Sequence, residues 1–412
     1  MSGSDIIVSL DIGTSKVRAI IGELAGGSIQ IVGVGSADSE GIRKGAIVDI
    51  DQTVQSIRKA VEHAERMVGV TISEVFVGIS GNHIQLQSSH GVVAVSNEDR
   101  EIGGEDIERV LQAAKVIALP PEREIIGIVP KQYIVDGLEG IHDPRGMIGV
   151  RLEVEAIVIT GAKTAIHNLI RCVEKAELKA AGLILMPLAA GHLALTKDEK
   201  NLGTVLVDIG AGATTISVFE NGTIAATSTL PIGGEYVTND IAIGLRTQLE
   251  IAEKVKLKYG CASAADADAA TTFKVTRIGS NVEKEFSQAD LASIIEPRMQ
   301  EIFELIRAEV KRMKPEEPAG GYVLTGGAVS IPAVAGVAQS VLETSVRIAA
   351  PDFVGVREPS YASGVGIIAY VSKFLRTRGT VAVKVSAGRK SKADADKPGL
   401  LERLKNLIRE FI

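Results

Sequence analysis

Two short segments combine an aspartate, glycines and hydroxyl side chains in an order suited to phosphate chemistry: Asp11-Ile-Gly-Thr-Ser-Lys16 and Asp208-Ile-Gly-Ala-Gly-Ala-Thr-Thr215. A glycine in a turn between strands lets backbone N–H groups converge on phosphate oxygens, because no Cβ blocks the approach. Gly13, Gly210, Ala211 and Gly212 supply that backbone, and Thr14, Ser15, Thr214 and Thr215 can add hydroxyl donors. Lys16 can neutralise phosphate charge, and Asp11 and Asp208 can hold a hydrated Mg²⁺. Either turn alone is weak evidence for a ligand. Facing one another, the two would grip the phosphate chain of a nucleotide from both sides. A third turn, Thr325-Gly-Gly-Ala328, follows a short apolar run; Gly326 and Gly327 would let a base or ribose lie against backbone, and an ordinary strand-to-helix turn accounts for them equally well. Glu253 and Lys256 lie one turn apart in a helical segment from Gln248 to Tyr259, and alone they read as a solvated ion pair.

Other constellations lead nowhere. Gly364-Val-Gly366-Ile-Ile-Ala369 matches a dinucleotide fingerprint but lacks the acidic residue that should follow, so it reads as a close-packed helix. No GxxxxGK[ST], HExxH or GxSxG string occurs. His83 and His90 have alternating polar neighbours that suggest a strand surface.

The elements that must position the turns follow from the apolar pattern. Ile6–Leu10, Val17–Ile21 and Ile29–Val34 read as a β-meander, and a helical period follows from Gln52 to Val68. A second meander runs Thr204–Val207 and Ile216–Phe219 to a hairpin turn at Asn221-Gly222. Two copies of strand–Asp-Ile-Gly–turn–strand indicate a duplicated, two-lobed α/β protein. Between the copies, strands at Ile84–Gln87, Val92–Val95 and Leu152–Ile159 around a helix at Glu105–Val116 read as a small α+β insertion. The stretch Tyr236–Gln300 is helix-rich and leads into a long helix, Leu291–Met313. Ala319–Leu342 is uncharged, but its glycines and Pro332 make it buried strand, turn and helix rather than a membrane span.

With 412 residues and 45% hydrophobic, the chain has material for more than one core. A net charge of −6, no Trp and 3% aromatics argue against nucleic acid as a partner. Two distant cysteines, Cys172 and Cys261, fit neither a zinc module nor a disulfide framework and suit a reducing cytoplasm. Met1-Ser-Gly-Ser has no basic n-region of a secretory signal.

The tail changes character. Residues 377–398 are basic and poor in large apolar side chains, a linker that would span about 25 Å as a flexible coil. In 399–412, Leu400, Leu401, Leu404, Leu407, Ile408, Phe411 and Ile412 share one helical face, with Arg403, Lys405 and Arg409 opposite. Such a helix either docks on its own domain or lies on an anionic membrane, and the long linker favours the membrane.

The strings Asp11–Lys16, Asp208–Gly212 and Leu324-Thr-Gly-Gly327, in that order, resemble the first phosphate, second phosphate and adenosine segments of the actin, heat-shock chaperone and sugar-kinase ATPase fold. Within that superfamily the chain is similar to the FtsA family of bacterial cell-division proteins. The resemblance rests on Gly41-Ile-Arg-Lys-Gly45, Val77-Gly-Ile-Ser-Gly-Asn-His83, Tyr133-Ile-Val-Asp-Gly137, Gly149–Glu155, Leu230-Pro-Ile-Gly-Gly234 and Asn239–Arg246, and covers about residues 5–375. It implies an actin-like two-lobed fold with segments 1–81, 162–198 and 360–376 in the first lobe's core and 82–161 as its insertion. The second lobe's core would take 199–235 and 301–359, with 236–300 as its helix-rich subdomain.

The resemblance further implies ATP with Mg²⁺ between the lobes, Glu253 and Lys256 near the nucleoside, and self-association into filaments at the division site. It implies tethering of FtsZ filaments to the cytoplasmic side of the membrane, contacts with other division proteins, and the terminal helix as membrane anchor. The FtsZ C-terminal peptide would bind where Ile295-Glu-Pro-Arg298 matches the family's peptide-site helix, with Arg298 meeting its acidic groups. Two departures bear on turnover. Gly212-Ala-Thr-Thr215 stands where family members usually read Gly-Thr-Thr-Asp, and Met186 precedes Pro187 where a glutamate is common, so a nucleotide binder with slow or absent hydrolysis is expected. The competing reading is a soluble small-molecule kinase of the same fold, which needs a catalytic base near the γ-phosphate and has no use for a tethered amphipathic helix.

Overall fold

The computed structural model describes residues 5–279, 283–313 and 318–377; the basic linker from 378 on and the amphipathic segment 399–412 lie outside them. The first meander forms as the alternation predicts: β1 (Asp5–Ile12), β2 (Lys16–Ala25) and β3 (Ser28–Asp38) pair antiparallel in sequence order. A two-residue hairpin, β4 (Ile42–Arg43) with β5 (Ala46–Ile47), precedes α1 (Ile50–Val68). The Asp49 side chain caps α1 by accepting from Gln52 N, and Gly69 closes it at φ +74. Its buried stripe of Val54, Ile57, Ala60, Val61 and Ala64 lies against the meander, where Gly35 lets the Ala60 carbonyl approach. Then β6 (Glu74–Ile79) adds parallel to β1.

The chain next departs into the insertion: β7 (Gln85–Ala94), α2 (Gly104–Ala114), β8 (Arg123–Val135), β9 (Leu138–Ile141) and β10 (Arg151–Ala162). These make a separate sheet in the order β7-β10-β8-β9 with its own core around Leu111, Ile128, Leu152 and Val158. Two expectations change here. Ile84–Gln87 and Val92–Val95 are parts of one strand, since the polar residues between them stay paired to β10. The long strand β8 was not anticipated, because Pro130 and Lys131 interrupt its apolar run. Glu155 pairs with Gln132 and Ala156 with Pro130, so Lys131 bulges out and the proline sits at the irregularity.

Back in the first lobe, α3 (Lys163–Lys175) and β11 (Lys179–Leu185) complete a sheet in the order β11-β6-β1-β2-β3. Helices α4 (Met186–Ala194) and α5 (Lys197–Leu202) lead into the second meander: β12 (Thr204–Ile209), β13 (Thr214–Glu220) and β14 (Thr223–Leu230). The helix-rich part follows as α6 (Gly234–Leu245), α7 (Leu249–Tyr259), an unanticipated hairpin β15 (Thr272–Thr276) and β16 (Glu283–Ser287), and α8 (Gln288–Met313). Then β17 (Tyr322–Thr325), α9 (Val334–Leu342) and β18 (Val346–Ile348) close a sheet ordered β14-β13-β12-β17-β18. Both sheets thus place an antiparallel meander beside two parallel strands, in matching order. The duplication read from Asp-Ile-Gly is a duplication of topology.

Last, α10 (Ala362–Thr377) returns to the first lobe and packs on α4. Gly366 permits this, because a Cβ there would lie 2.5 Å from the Ala189 carbonyl oxygen. Gly191 on α4 similarly leaves room for the Phe219 ring of β13, so α4 touches both lobes' structure. Cys172 and Cys261 are free and buried.

Candidate functional site

Both Asp-Ile-Gly segments close their hairpins identically. Gly13 N donates to Lys16 O at 3.0 Å, and Gly210 N donates to Ala213 O at 3.0 Å. The turns meet face to face: a Cβ on Gly212 would lie 2.7 Å from Thr14 Cγ2 and 3.1 Å from Lys44 N. The β4–β5 turn also reaches this junction, since Gly45 N donates to Thr14 Oγ1 at 3.2 Å. Ser15 is exposed. Two side chains are used differently from the expectation. Lys16 pairs with Asp38, and buried Thr214 donates its hydroxyl hydrogen to the Ile232 carbonyl at 2.8 Å, bracing the strand instead of facing a ligand.

The second turn also organises α6. Its Gly210 and Ala211 carbonyls accept from Gly234 N and Glu235 N, each at 2.9 Å, so α6 begins directly on the turn. Gly233 must be small, because a Cβ would lie 2.4 Å from Gly210 O. Lys256 comes up beneath this junction from α7. It is 8% exposed, and its Nζ donates to Glu253 at 2.7 Å, Thr238 Oγ1 at 2.8 Å and Gly234 O at 3.2 Å. Lys256 is therefore a buried brace, while its partner Glu253 stays partly open to solvent. Ala328, next to Gly326 and Gly327, lies against the same point, 3.4 Å from where a Gly234 Cβ would stand. All three glycine turns thus converge.

Gly326 adopts φ +96, and a Cβ there would fall 2.5 Å from Asp208 Oδ1. This is a position that only glycine fits. Asp11 is 5% exposed, and burial, with the neighbouring Asp208 charge, pushes its carboxyl up to about 6 against the pull of Arg18. Burial likewise raises Asp208, opposed by a hydrogen bond from Ser363 Oγ at 2.7 Å. A buried carboxyl whose cost is raised by a second, half-buried carboxylate makes a seat for a cation. Two ligands suit a Mg²⁺ that keeps most of its waters and takes phosphate oxygens for the rest. No cluster of three or more metal-ligating side chains occurs among the described residues.

The structure adds residues that the sequence reading missed. The Arg18 guanidinium lies over the Tyr361 ring, 4.8 Å from its centroid, and its Nε has no hydrogen-bond partner among the described residues. Asp11 stands opposite Arg18 in the first hairpin as Asp208 stands opposite Thr215 in the second. Overlaying the repeats to their strand ends would have exposed Arg18. Ser363 and Tyr361 carry no sequence signal, since only the return of α10 brings them here.

Arg298 lies on α8. It forms a two-pronged bond with Asp240, at 2.5 and 3.1 Å, also pairs with Glu301, and lies over Tyr236. The seven apolar residues of the terminal helix lie outside the described residues.

The model for "Cell division protein FtsA" matches residues 205–366, and the model for "SHS2 domain inserted in FTSA" matches residues 81–160, the inserted sheet and its helix. The cell division protein FtsA of Bacillus subtilis (strain 168) is 50% identical over 92% of this chain and 86% of its own length. The chain belongs to the FtsA family. Among solved structures, one of the PilM-PilN type IV pilus biogenesis complex matches at TM-score 0.62 and 17% identity, covering 89% of this chain and 98% of its own. MreB5 of Spiroplasma citri bound to ADP matches at TM-score 0.56 and 13% identity, over 91% and 99%. The fold is accordingly the actin-like one that the glycine turns imply, with the FtsA insertion in its first lobe. Among the described residues, no helix is long and apolar enough to cross a membrane.

Proposed function

We propose that this FtsA-family chain binds ATP with Mg²⁺ between its lobes and, in that state, self-associates and tethers FtsZ filaments to the cytoplasmic face of the membrane at the division site. The observation that carries the nucleotide reading is the contact of the two phosphate-type turns, Gly212 against Thr14, each of which follows one of the two aspartates, buried Asp11 and half-buried Asp208. A bound Mg²⁺ would supply the positive charge that this pair lacks. The backbone of Gly13 to Lys16 and Gly210 to Ala213 would cradle phosphate oxygens, while Gly326, Gly327 and the α6–α7 junction would flank the nucleoside. The ADP in the MreB5 structure supports the assignment of a nucleotide to this cleft. Thr215, opposite Asp208, offers no carboxylate to activate water, which supports slow turnover.

The apolar face of 399–412 is the anchor in this reading, and the helix-rich part of the second lobe receives the acidic FtsZ peptide. Vesicles containing anionic lipid test the whole. The full chain should co-sediment more strongly with ATP and Mg²⁺, and a chain ending at Pro398 should not sediment. Equal behaviour of the two chains would overturn the anchor, and indifference to ATP together with no uptake of a fluorescent ATP analogue would overturn the nucleotide reading.

A further inference from the structure

A tight hairpin of the first lobe ends against the second lobe. Lys44 and Gly45 join β4 to β5 with positive φ, +50 and +77, the backbone of a two-residue turn whose hand suits twisted strands. The base of the hairpin is pinned, since Gly41 O accepts from Val48 N at 2.8 Å and from Asp49 N, the cap of α1, at 3.0 Å. Its tip meets the second phosphate-type turn: a Cβ on Gly45 would lie 3.8 Å from Ala213 Cβ, beside the close approach of Lys44 N to Gly212. From this tip the Lys44 side chain reaches α6, where its Nζ lies over the Tyr236 ring, 5.8 Å from the centroid. The same ring carries a second cation, the Arg298 guanidinium of α8, also at 5.8 Å. Asp240, which holds that guanidinium, stands one turn after Tyr236 on α6. Tyr236 thus faces both a first-lobe side chain at the cleft and the candidate peptide contact, while its own helix starts on the Gly210 and Ala211 carbonyls.

We propose that Tyr236 is a positioning residue for Arg298, and that Lys44 sets it according to the approach of the two lobes. The negative face of one ring attracts both cations, while the cations repel each other. With Lys44 in place, the attraction of the ring is shared and a second positive charge stands near Arg298, so an acidic peptide is drawn there more strongly. Lys44 and Tyr236 belong to opposite lobes. When the lobes part, Lys44 leaves with its hairpin, and Arg298 keeps the ring and Asp240 to itself. A nucleotide that draws the lobes together therefore favours the peptide, and the two ligands are coupled through three side chains. This inference rests on the nucleotide and peptide readings above.

The test reads binding of a fluorescent FtsZ C-terminal peptide to the full chain by anisotropy, with Mg·ATP and without nucleotide. ATP should tighten the peptide about two- to fivefold, the size expected of one exposed cation–ring contact. Because coupling between two ligands is reciprocal, the peptide should tighten a fluorescent ATP analogue by the same factor. Lys44→Gln, at an exposed position on the hairpin tip, should bring both factors to unity, and so should Tyr236→Leu. Tyr236→Phe keeps the ring and should keep both factors. An undiminished factor in Lys44→Gln, or equal losses in Tyr236→Phe and Tyr236→Leu, would overturn the assignment. Arg298→Glu separates it from the readings beneath it. If that variant loses the peptide and the analogue binds, yet ATP leaves the peptide affinity of the unaltered chain unchanged, the coupling alone fails. If the peptide ignores Arg298→Glu, or the analogue does not bind, the underlying reading fails and the coupling with it.

Discussion

The Ser363 hydroxyl donates to Asp208 Oδ2 at 2.7 Å, tying the first turn of α10 to the end of β12 and so the first lobe to the floor of the cleft. Ser363→Ala removes a bond to a charged acceptor and should lower stability by about 1–2 kcal/mol in thermal unfolding without nucleotide. It also removes the larger of the two influences, Ser363 and Arg18, that oppose the upward push on the Asp208 carboxyl, so Mg²⁺ should bind more weakly, most of all at mildly acid pH. Unchanged calorimetric Mg·ATP affinity at pH 6 would show that the bond only joins the lobes.

A second connection, Arg347 of β18 to Glu199 of α5, predicts a pH dependence. Arg347, together with the Thr196 cap, holds the Glu199 carboxyl down at about 2 against an ordinary 4.5. A depressed carboxylate stabilises the fold above its unfolded value, and that contribution is lost as pH falls from about 4.5 to about 2. Arg347 is 42% exposed, so after solvent screening the effect should be about 1–2 kcal/mol. Glu199→Gln should therefore lower stability at pH 7 and flatten the acid limb of the unfolding profile.

The contact between turns can be read by a double-mutant cycle. Gly212→Ala places a Cβ 2.7 Å from Thr14 Cγ2 and should wedge the turns apart, weakening ATP binding at least tenfold. Thr14→Ala removes the obstructing methyl and hydroxyl. The double variant should recover most of the loss, with a coupling energy of about 1–2 kcal/mol. Additive losses would mean that the turns do not touch in solution.

Arg298 is already satisfied by Asp240 and Glu301, which raise its pKa further. An acidic peptide must compete with them. Asp240→Asn should free the guanidinium and strengthen binding of the FtsZ C-terminal peptide several-fold in fluorescence anisotropy, whereas Arg298→Glu should abolish it. If Arg298→Glu leaves affinity unchanged, the peptide is held elsewhere.

The fold was legible wherever sequence-local rules decide the outcome. The apolar runs of Ile6–Leu10 and Thr204–Val207 and the repeat of Asp-Ile-Gly all follow from neighbours in the chain. β8 escaped because Pro130 and Lys131 break its pattern, and only pairing with β10 accommodates the bulge. In the site, the glycine turns and the two aspartates were readable because backbone approach and paired carboxylates leave a local signature. Lys256 was misjudged because nothing near it in sequence shows that Gly234 and Thr238 will close over its ammonium. Arg18 stands opposite Asp11 in the first hairpin and could have been read from the repeat, whereas Ser363 and Tyr361 arrive only with the return of the chain at the start of α10, for which the sequence holds no local rule.

Asp11 yields a prediction in which losing function adds stability. Burial raises its carboxyl from 3.8 to about 6, so at pH 7.5 the folded chain holds a charge that the unfolded chain solvates better. Such a group opposes folding above about pH 6, and the cost disappears as pH falls through 6 toward 4. A raise of this size corresponds to at most about 3 kcal/mol, reduced in practice because an asparagine amide must find its own partners. Asp11→Asn should therefore unfold at a higher temperature than the unaltered chain at pH 7.5 without Mg²⁺. The two should converge near pH 4. The same variant should lose Mg²⁺-dependent ATP binding, because half of the carboxylate pair is gone. Calorimetric unfolding at both pH values, with and without Mg·ATP, reads all three effects, and a variant less stable at pH 7.5 would mean that Arg18 more than offsets the burial of Asp11.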